Sequence, residues 1–479
     1  PVAVGVAFVV ASPLVGGARA AARSLGYACV ATAGALVLLV PWSVSQLASR
    51  DAVAWGAQFR PVLDLADVLA FRTGPAGAGV GGWALLVAAS LALVASTGDR
   101  LAWAARAWVL ALLGFALVWL PARFAPGTSV PPPEGALVLA ALGVSLSIGL
   151  GVAAFSHDLR TFRFGWRQLA SIVGAVALAL PLLGFVADVG SGSWHTPSTD
   201  WASTWSWMSS ERSGGFRLLV LGDPSVLPGD GVPHGETAYT LVTNGVLDAR
   251  GLWPPAPRAG RLVGDAVDQA VGDRTSRLGH LLAPMGVRYV AVVDRSGPSG
   301  GSRAPVPETL VRGLDAQLDL ARLHDEGTVR LYENAAWFPV RASVPGVDVA
   351  SLRSSHPVEA GSRVEFPKVR AAEDGTRVAP GAFLLSETHD ARWKATVAGH
   401  AVRHVETFGW ANGWAVSRAG RVDTHFTGQL VRDLQIALEV LLWIAAAVTL
   451  WRLRDRRRAR RGSAEAARER AQTRTPVPA

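Results

Sequence analysis

Arg50, Asp51, Arg60, Asp64, Asp67 and Arg72 crowd the stretch 49–78, which separates two apolar runs. A carboxylate placed there can take a proton from an attacking hydroxyl as general base. A guanidinium can hold a phosphate through two parallel hydrogen bonds. Asp51, with Asp64 and Asp67 next, is therefore the candidate catalytic set. Arg50, Arg60 and Arg72 are the candidate phosphate or lipid contacts. Val62, Leu63, Leu65, Val68, Leu69 and Phe71 alternate with these charges, so 61–71 is expected to form an amphipathic helix in a membrane interface. Charge pairs that only tie such a helix down are the plainer alternative.

A second cluster is aromatic. Trp201, Trp205 and Trp207 follow an apolar run closely, and such rings stack on sugars, on headgroups or on each other. They are the glycan-stacking candidates. Trp393, Trp410 and Trp414 raise the same question further on, with core packing favoured.

Other chemistry is poorly represented. The turn at Gly222-Asp223-Pro224 lacks the glycines and the helix start that a dinucleotide site needs. No Asp-x-Asp and no HExxH occurs in the chain. His400 and His404 are spaced to share a strand face, but nothing nearby completes a metal set, so no metal site is assigned. Cys29 is the single cysteine and lies in an apolar run, which excludes a disulfide framework. No cofactor is identified.

The elements that must carry these residues follow from composition. The chain has 479 residues, of which 50% are hydrophobic and 17% charged, with a mean hydropathy of +0.28. Soluble domains carry about a quarter charged residues. The excess of +9 is uneven: +4 over 1–189, −1 over 190–430 and +6 over 431–479. The neutral middle offers no basic face for nucleic acid. The basic surplus lies beside the apolar runs, as in a membrane protein.

Apolar runs at 1–16, 27–48, 79–97, 103–121, 135–155, 168–188 and 433–451 approach or meet the roughly 20 residues a bilayer core requires. The first is cut short at Pro1, so the chain reads as a fragment of a longer polypeptide whose N-terminal part is missing. Arg19 and Arg23, Arg100, Arg160 to Arg167, and Arg452 to Arg461 fall on one set of loops, which the positive-inside rule assigns to the cytoplasm. The expected location is a bacterial plasma membrane, crossed several times, with 190–430 outside and the tail inside. The spans carry almost no ionisable residue, which argues against a transporter.

Within 190–430, short apolar runs at 216–222, 287–293 and 328–332 alternate with helical patterns at 262–283 and 307–322, and Thr275 is placed to cap a helix through Leu282. This implies an α/β domain with parallel pairing over 190–345. Val364–Phe366, Ala382–Ser386, Trp393–Val397, His400–Glu406, Trp414–Ser417 and Arg421–Phe426 then read as strands of a β-sandwich over 346–430. The expected fold class is a membrane α-helical bundle of about seven spans plus an extracytoplasmic α/β domain and a β-sandwich. The bundle covers 1–189, the last membrane helix 431–452 and the basic cytoplasmic tail 453–479.

Three stretches carry a family resemblance. Arg277 to Val290 reads RLGHLLAPMGVRYV; Val329 to Asn334 reads VRLYEN, with FPVR from Phe338; LLSE from Leu384 precedes WKATVAG from Trp393. Their order resembles the YfhO-type bacterial membrane proteins, among the polytopic GT-C-like glycosyltransferases. Arg392 stands where that pattern has Gly, and Ala398 where it has Asp. The first stretch also looks like the C-terminal half of large high-GC bacterial proteins that begin with a family-2 glycosyltransferase domain. The resemblance covers about 275–430, and the bundle by topology alone.

Together these readings imply the membrane portion of a cell-envelope glycosyltransferase in surface polysaccharide or glycolipid assembly. Its implied partners are the bilayer and a lipid-linked sugar or surface glycan, with a polyprenyl-phosphate sugar as possible donor. The alternative is a non-catalytic module that binds or exports glycan or lipid for a cytoplasmic transferase domain.

Overall fold

The computed structural model describes residues 19, 22–23, 25–40, 63–73, 80–124, 133–158, 166–192, 200–211, 213–228, 231–234, 237–246, 257–298, 300–323, 329–353 and 363–472. The chain divides into two compact units, Val53–Thr427 and the pair Pro1–Ala52 with Gly428–Ala479.

The pair of terminal segments holds α1 (Leu25–Leu38), and a long final helix, Gln429–Gln472. At 1.5 Å per residue the final helix is about 65 Å long. Its stretch Gln429–Asp455 is apolar enough to cross a membrane, and the arginine-rich remainder continues the same helix.

The larger unit opens with α2 (Leu65–Leu69) and four apolar helices: α3 (Val80–Ala95), α4 (Gly98–Phe124), α5 (Pro133–Asp158) and α6 (Trp166–Ser191). Among the described residues four helices reach membrane-spanning length and apolarity, lying in α4, α5, α6 and the final helix; α1 and α3 are apolar but shorter. The expected first span, 1–16, lies outside the described residues, so four spanning helices stand where seven runs were expected. Leu182, Leu183, Phe185 and Val186 on α6 are exposed, as a helix surface turned to lipid would be.

Small residues let α3, α4 and α5 pack closely. Gly143 on α5 lies so near α4 that a Cβ there would stand 2.5 Å from the Ala107 carbonyl oxygen. The Ala89 carbonyl of α3 accepts from Trp108 Nε1 of α4 (3.2 Å) and from buried Ser147 Oγ of α5 (2.9 Å). Three helices thus share one polar node in a largely apolar interior, where few groups could replace it.

After α6, a short helix α7 (Trp201–Thr204) leads into a six-stranded sheet of order β2-β3-β1-β4-β8-β7. Its strands are β1 (Arg217–Gly222), β2 (Val232–His234), β3 (Thr237–Thr243), β4 (Val287–Val293), β7 (Leu320–Arg322) and β8 (Val329–Asn334). Between them lie α8 (Pro257–Val271), α9 (Leu278–Leu282), the hairpin β5 (Arg295–Gly297) with β6 (Gly300–Arg303), and α10 (Glu308–Asp315). Parallel pairing holds only for β1 with β4; every other pair in this sheet is antiparallel. The helical crossover through α8 and α9 gives β4 the direction of β1. The chain then returns through α10 to β7, and β8 runs against both of its neighbours, β4 and β7.

The second half is a sandwich. Its five-stranded sheet has the order β10-β9-β12-β16-β15, from β9 (Arg341–Pro345), β10 (Arg370–Ala371), β12 (Gly381–Thr388), β15 (Arg403–Thr407) and β16 (Ala411–Val416). Its four-stranded sheet has the order β11-β17-β13-β14, from β11 (Arg377–Val378), β13 (Trp393–Val397), β14 (His400–Ala401) and β17 (Gly420–Phe426). Along β12 the faces alternate. Phe383 and Leu385 join Trp414, Ala395 and Val422 between the sheets, while Ala382 and Leu384 turn to the core shared with α8, α9 and α10. The expected strand at Val364–Phe366 is instead a 3-10 turn over Phe366–Lys368, because Pro367 cannot donate to a ladder.

β13 and β14 meet in a two-residue hairpin in which Ala398 (φ 52°) and Gly399 (φ 79°) both take positive φ. That turn favours Asn or Asp before Gly, and a left-handed alanine costs about 1 kcal/mol. Ala398 is exposed. Ala398→Asn should therefore raise the sandwich's stability by about 0.5–1 kcal/mol, read as a higher denaturation midpoint.

Candidate functional site

Asp64, Asp67 and Arg72 are the members of the sequence-derived set that the structure describes; Arg50, Asp51 and Arg60 lie outside the described residues. α2 is a five-residue helix, shorter than the expected 61–71. It is also set deeper. Val68 and Ala70 are buried, and Val68 packs with Phe115 and Val118 of α4 and with Ala136 and Leu137 of α5. These positions lie at one common end of the bundle. Gly82 at the start of α3 has no room for a side chain against the Ala70 backbone. A helix this short gains little from its own hydrogen bonds, so tertiary burial holds it.

Both ends of α2 are closed by specific bonds. Asp64 is its N-cap, with Oδ1 accepting from Leu65 N at 2.8 Å. At the other end Phe71 N donates to Val68 O (3.2 Å) and Arg72 N to Asp67 O (2.8 Å). This is a Schellman closure, whose left-handed position is normally glycine. Here it is Phe71 at φ 55°, held by its ring, which meets Phe115 edge-on at 5.3 Å. The closure brings Arg72 back over the helix, 4.0 Å from Asp67, with side chains 57% and 42% exposed. A pair so open to solvent adds at most about 1 kcal/mol, so both groups remain available to other partners. One carboxylate and one guanidinium thus stand side by side at the bundle end.

The aromatic candidates separate. Trp201 and Trp205 are buried and stack on each other at 5.2 Å, packing with Met208, Phe216 and Leu218 on the second face of the six-stranded sheet. Their rings belong to a core. Trp207 is 42% exposed and meets Tyr289 edge-on at 5.3 Å. Beside it the Arg288 guanidinium lies 5.0 Å from the Tyr289 and Trp337 rings and 5.6 Å from Phe216, paired with Glu211 (3.0 Å) and Glu333 (3.2 Å). Sequence patterns do not single out Arg288, since its acidic partners Glu211 and Glu333 stand far from it along the chain.

His400 and His404 do not share a strand face. The chain leaves the four-stranded sheet at Val402, so His400 ends in β14 and His404 in β15 of the other sheet. His404 stacks on its cross-strand partner Trp414 (4.8 Å, 16°) and lies 4.7 Å from the His389 ring. Asn412 Nδ2 donates to the Glu387 and Thr388 carbonyls, which leaves Oδ1 to accept from His404 Nε2 at 3.0 Å. No cluster of three metal-ligating side chains occurs among the described residues. On the α/β half, a solvent-open cleft of about 380 Å³ is lined by Asp265, Asp268, Gln269 and Arg274. There Asp268 accepts from His234 Nε2 at 2.6 Å.

Burial holds the His404 imidazole below the ordinary histidine range, against the pull of its Asn412 hydrogen bond, and burial does the same to His280. Both are therefore favoured neutral in the fold, while the unfolded chain takes protons near pH 6.5. Their contribution is complete above that pH and is lost as pH falls toward the depressed folded values. The melting midpoint should drop between pH 7.5 and 5.5, and His404→Phe should flatten that drop.

No family profile and no curated protein matches the chain. Two solved structures align with it, both single-particle cryo-EM structures of the arabinofuranosyltransferase AftD from mycobacteria, the second a mutant form. Identities are 16% and 17%, with TM-scores of 0.34 and 0.33. Each alignment covers 72% of this chain, but 27% and 29% of the AftD chains, so this chain spans under a third of their length. TM-scores at this level say nothing further about its fold or chemistry.

Proposed function

We propose that the chain is the membrane portion of a cell-envelope glycosyltransferase acting in surface polysaccharide or glycolipid assembly, with 190–430 outside a bacterial plasma membrane and the basic tail inside. One observation carries this reading: α2, embedded at the bundle end, presents Asp67 and Arg72 side by side and open to solvent. A bundle end is where a lipid-borne phosphate meets water. Arg72 is suited to grip that phosphate. Asp67 is suited to take the proton of the acceptor hydroxyl as its oxygen attacks the anomeric carbon. The sugar–phosphate C–O bond breaks in the same displacement, and its electron pair leaves with the lipid phosphate. Asp64 is less free for that role, because one of its oxygens caps α2. Asp51, Arg50 and Arg60 belong to the same loop in sequence, and the same role is proposed for them.

Asp67→Asn keeps size and removes the base. Glycan product in membranes carrying this variant should fall about 100-fold or more, with the protein present at its usual level. Unchanged product from Asp67→Asn, Asp64→Asn and Asp51→Asn, singly and combined, would assign catalysis elsewhere. The half-exposed Trp207 ring favours a second reading in that case, a module that holds glycan or lipid without transforming it.

A further inference from the structure

The spans are not free of ionisable residues. Arg106 lies inside α4, in a run from Leu101 to Ala122 that is otherwise apolar. A bilayer core of about 30 Å takes roughly 20 helical residues. Counted back from Pro121, that places the core's edge near Ala102, with the Arg106 backbone about 6 Å inside it. Side chains on a helix lean toward its N-terminus, and Arg106 does so. Its guanidinium carbon sits 4.9 Å from the centre of the Trp103 ring, one turn nearer the edge.

Among the described residues the guanidinium is held by a ring but paired with no carboxylate. No ion pair to Arg106 occurs among the described residues, and its Nε is buried without a hydrogen-bond partner. Trp103 is 42% exposed on the helix surface. A cation at that depth is expensive unless an anion meets it. Here the ring fixes it in place, so little freedom remains to be lost when an anion arrives. The side chain leans toward the edge of the core, where the anionic groups within its reach are lipid phosphates. Arg100 continues the same helical row toward the edge.

We propose that Arg106, braced on Trp103, is a seat for the phosphate of an anionic phospholipid, binding one lipid specifically at this end of α4. The site is separate from α2, which packs nearer the other end of α4, at Phe115 and Val118.

Native mass spectrometry on the purified full chain in detergent tests this, with phosphatidylglycerol titrated against diacylglycerol of the same acyl chains. The first phosphatidylglycerol should bind at least about ten-fold more tightly than diacylglycerol. Arg106→Gln should abolish that preference, and Arg106→Lys should keep part of it. Trp103→Leu, which leaves the charge but removes its brace, should weaken the preference about three-fold or more. An equal affinity of the unaltered chain for both lipids would overturn the proposal without any variant. A full preference surviving in Arg106→Gln, or in Trp103→Leu should Arg106→Gln not fold, would overturn it too.

Discussion

Trp414→Ala lowers the stability of the β-sandwich by about 3–5 kcal/mol, the usual cost of removing a buried indole. Trp414 is completely buried between the two sheets of the sandwich. Its ring lies 5.5 Å from Phe383 on one side and stacks on His404 on the other. Neither neighbour can follow the vacated volume, because Phe383 is fixed in β12 and His404 is bonded to Asn412. The indole Nε1 has no partner, so the loss falls toward the lower end of that range. Trp414→Phe separates the two contributions. It keeps most of the ring, discards the unpaired N–H, and should cost less than about 1.5 kcal/mol. Denaturant unfolding followed by near-ultraviolet circular dichroism reads both variants. A loss near zero for Trp414→Ala would mean the sheets are not packed around this ring.

Alternation made the sandwich legible in sequence. Trp393–Val397 is found at its expected bounds, and β17 differs by one residue at its start. Which tryptophan fills the core was not legible, because three rings in strand-like contexts look alike until the sheets are paired. Trp393 is only half-buried, 5.3 Å from Phe426, whereas Trp414 is sealed. Long-range capping was equally hidden. Thr275 was placed to cap a helix, yet its Oγ1 only accepts from Arg277 N. The free N–H groups of α9 are met from 40 residues away, Gly279 and His280 by Asp319 and Leu278 by Gln317. At the candidate site the residue types were readable, since charge between apolar runs survives any fold. That Asp64 caps α2 while Asp67 stays open to solvent was not, because it depends on where α2 begins. Arg106 was overlooked because one charge hardly changes the mean hydropathy of a long window.

The family-like motifs gain a physical meaning in the same way. Asn334, which ends the VRLYEN stretch and β8, is fully buried against α9 and β4. Its Nδ2 donates to the Gly279 and Val287 carbonyls, both at 2.8 Å, and its Oδ1 accepts from Ala336 N at 2.8 Å. Asn334→Ala strips the partners from three buried backbone groups at once. Each such group left unpaired costs about 1–3 kcal/mol, so a total loss of at least about 3 kcal/mol is expected. Asn334→Asp restores the acceptor but faces two carbonyls with a carboxylate, and should be no better. Gly279 supplies the decisive check. A side chain there would press into the Asn334 amide, and would also stand 2.9 Å from the Asp319 carboxyl carbon. Gly279→Ala should therefore be strongly destabilising alone, yet partly relieved in the Asn334→Ala background, where the amide is gone. The two substitutions should cost less together than the sum of their separate costs, by about 0.5–3 kcal/mol for residues in contact. Strict additivity would mean that Asn334 does not occupy the space over Gly279, and that α9 is fastened to the sheet by Asp319 and Gln317 alone.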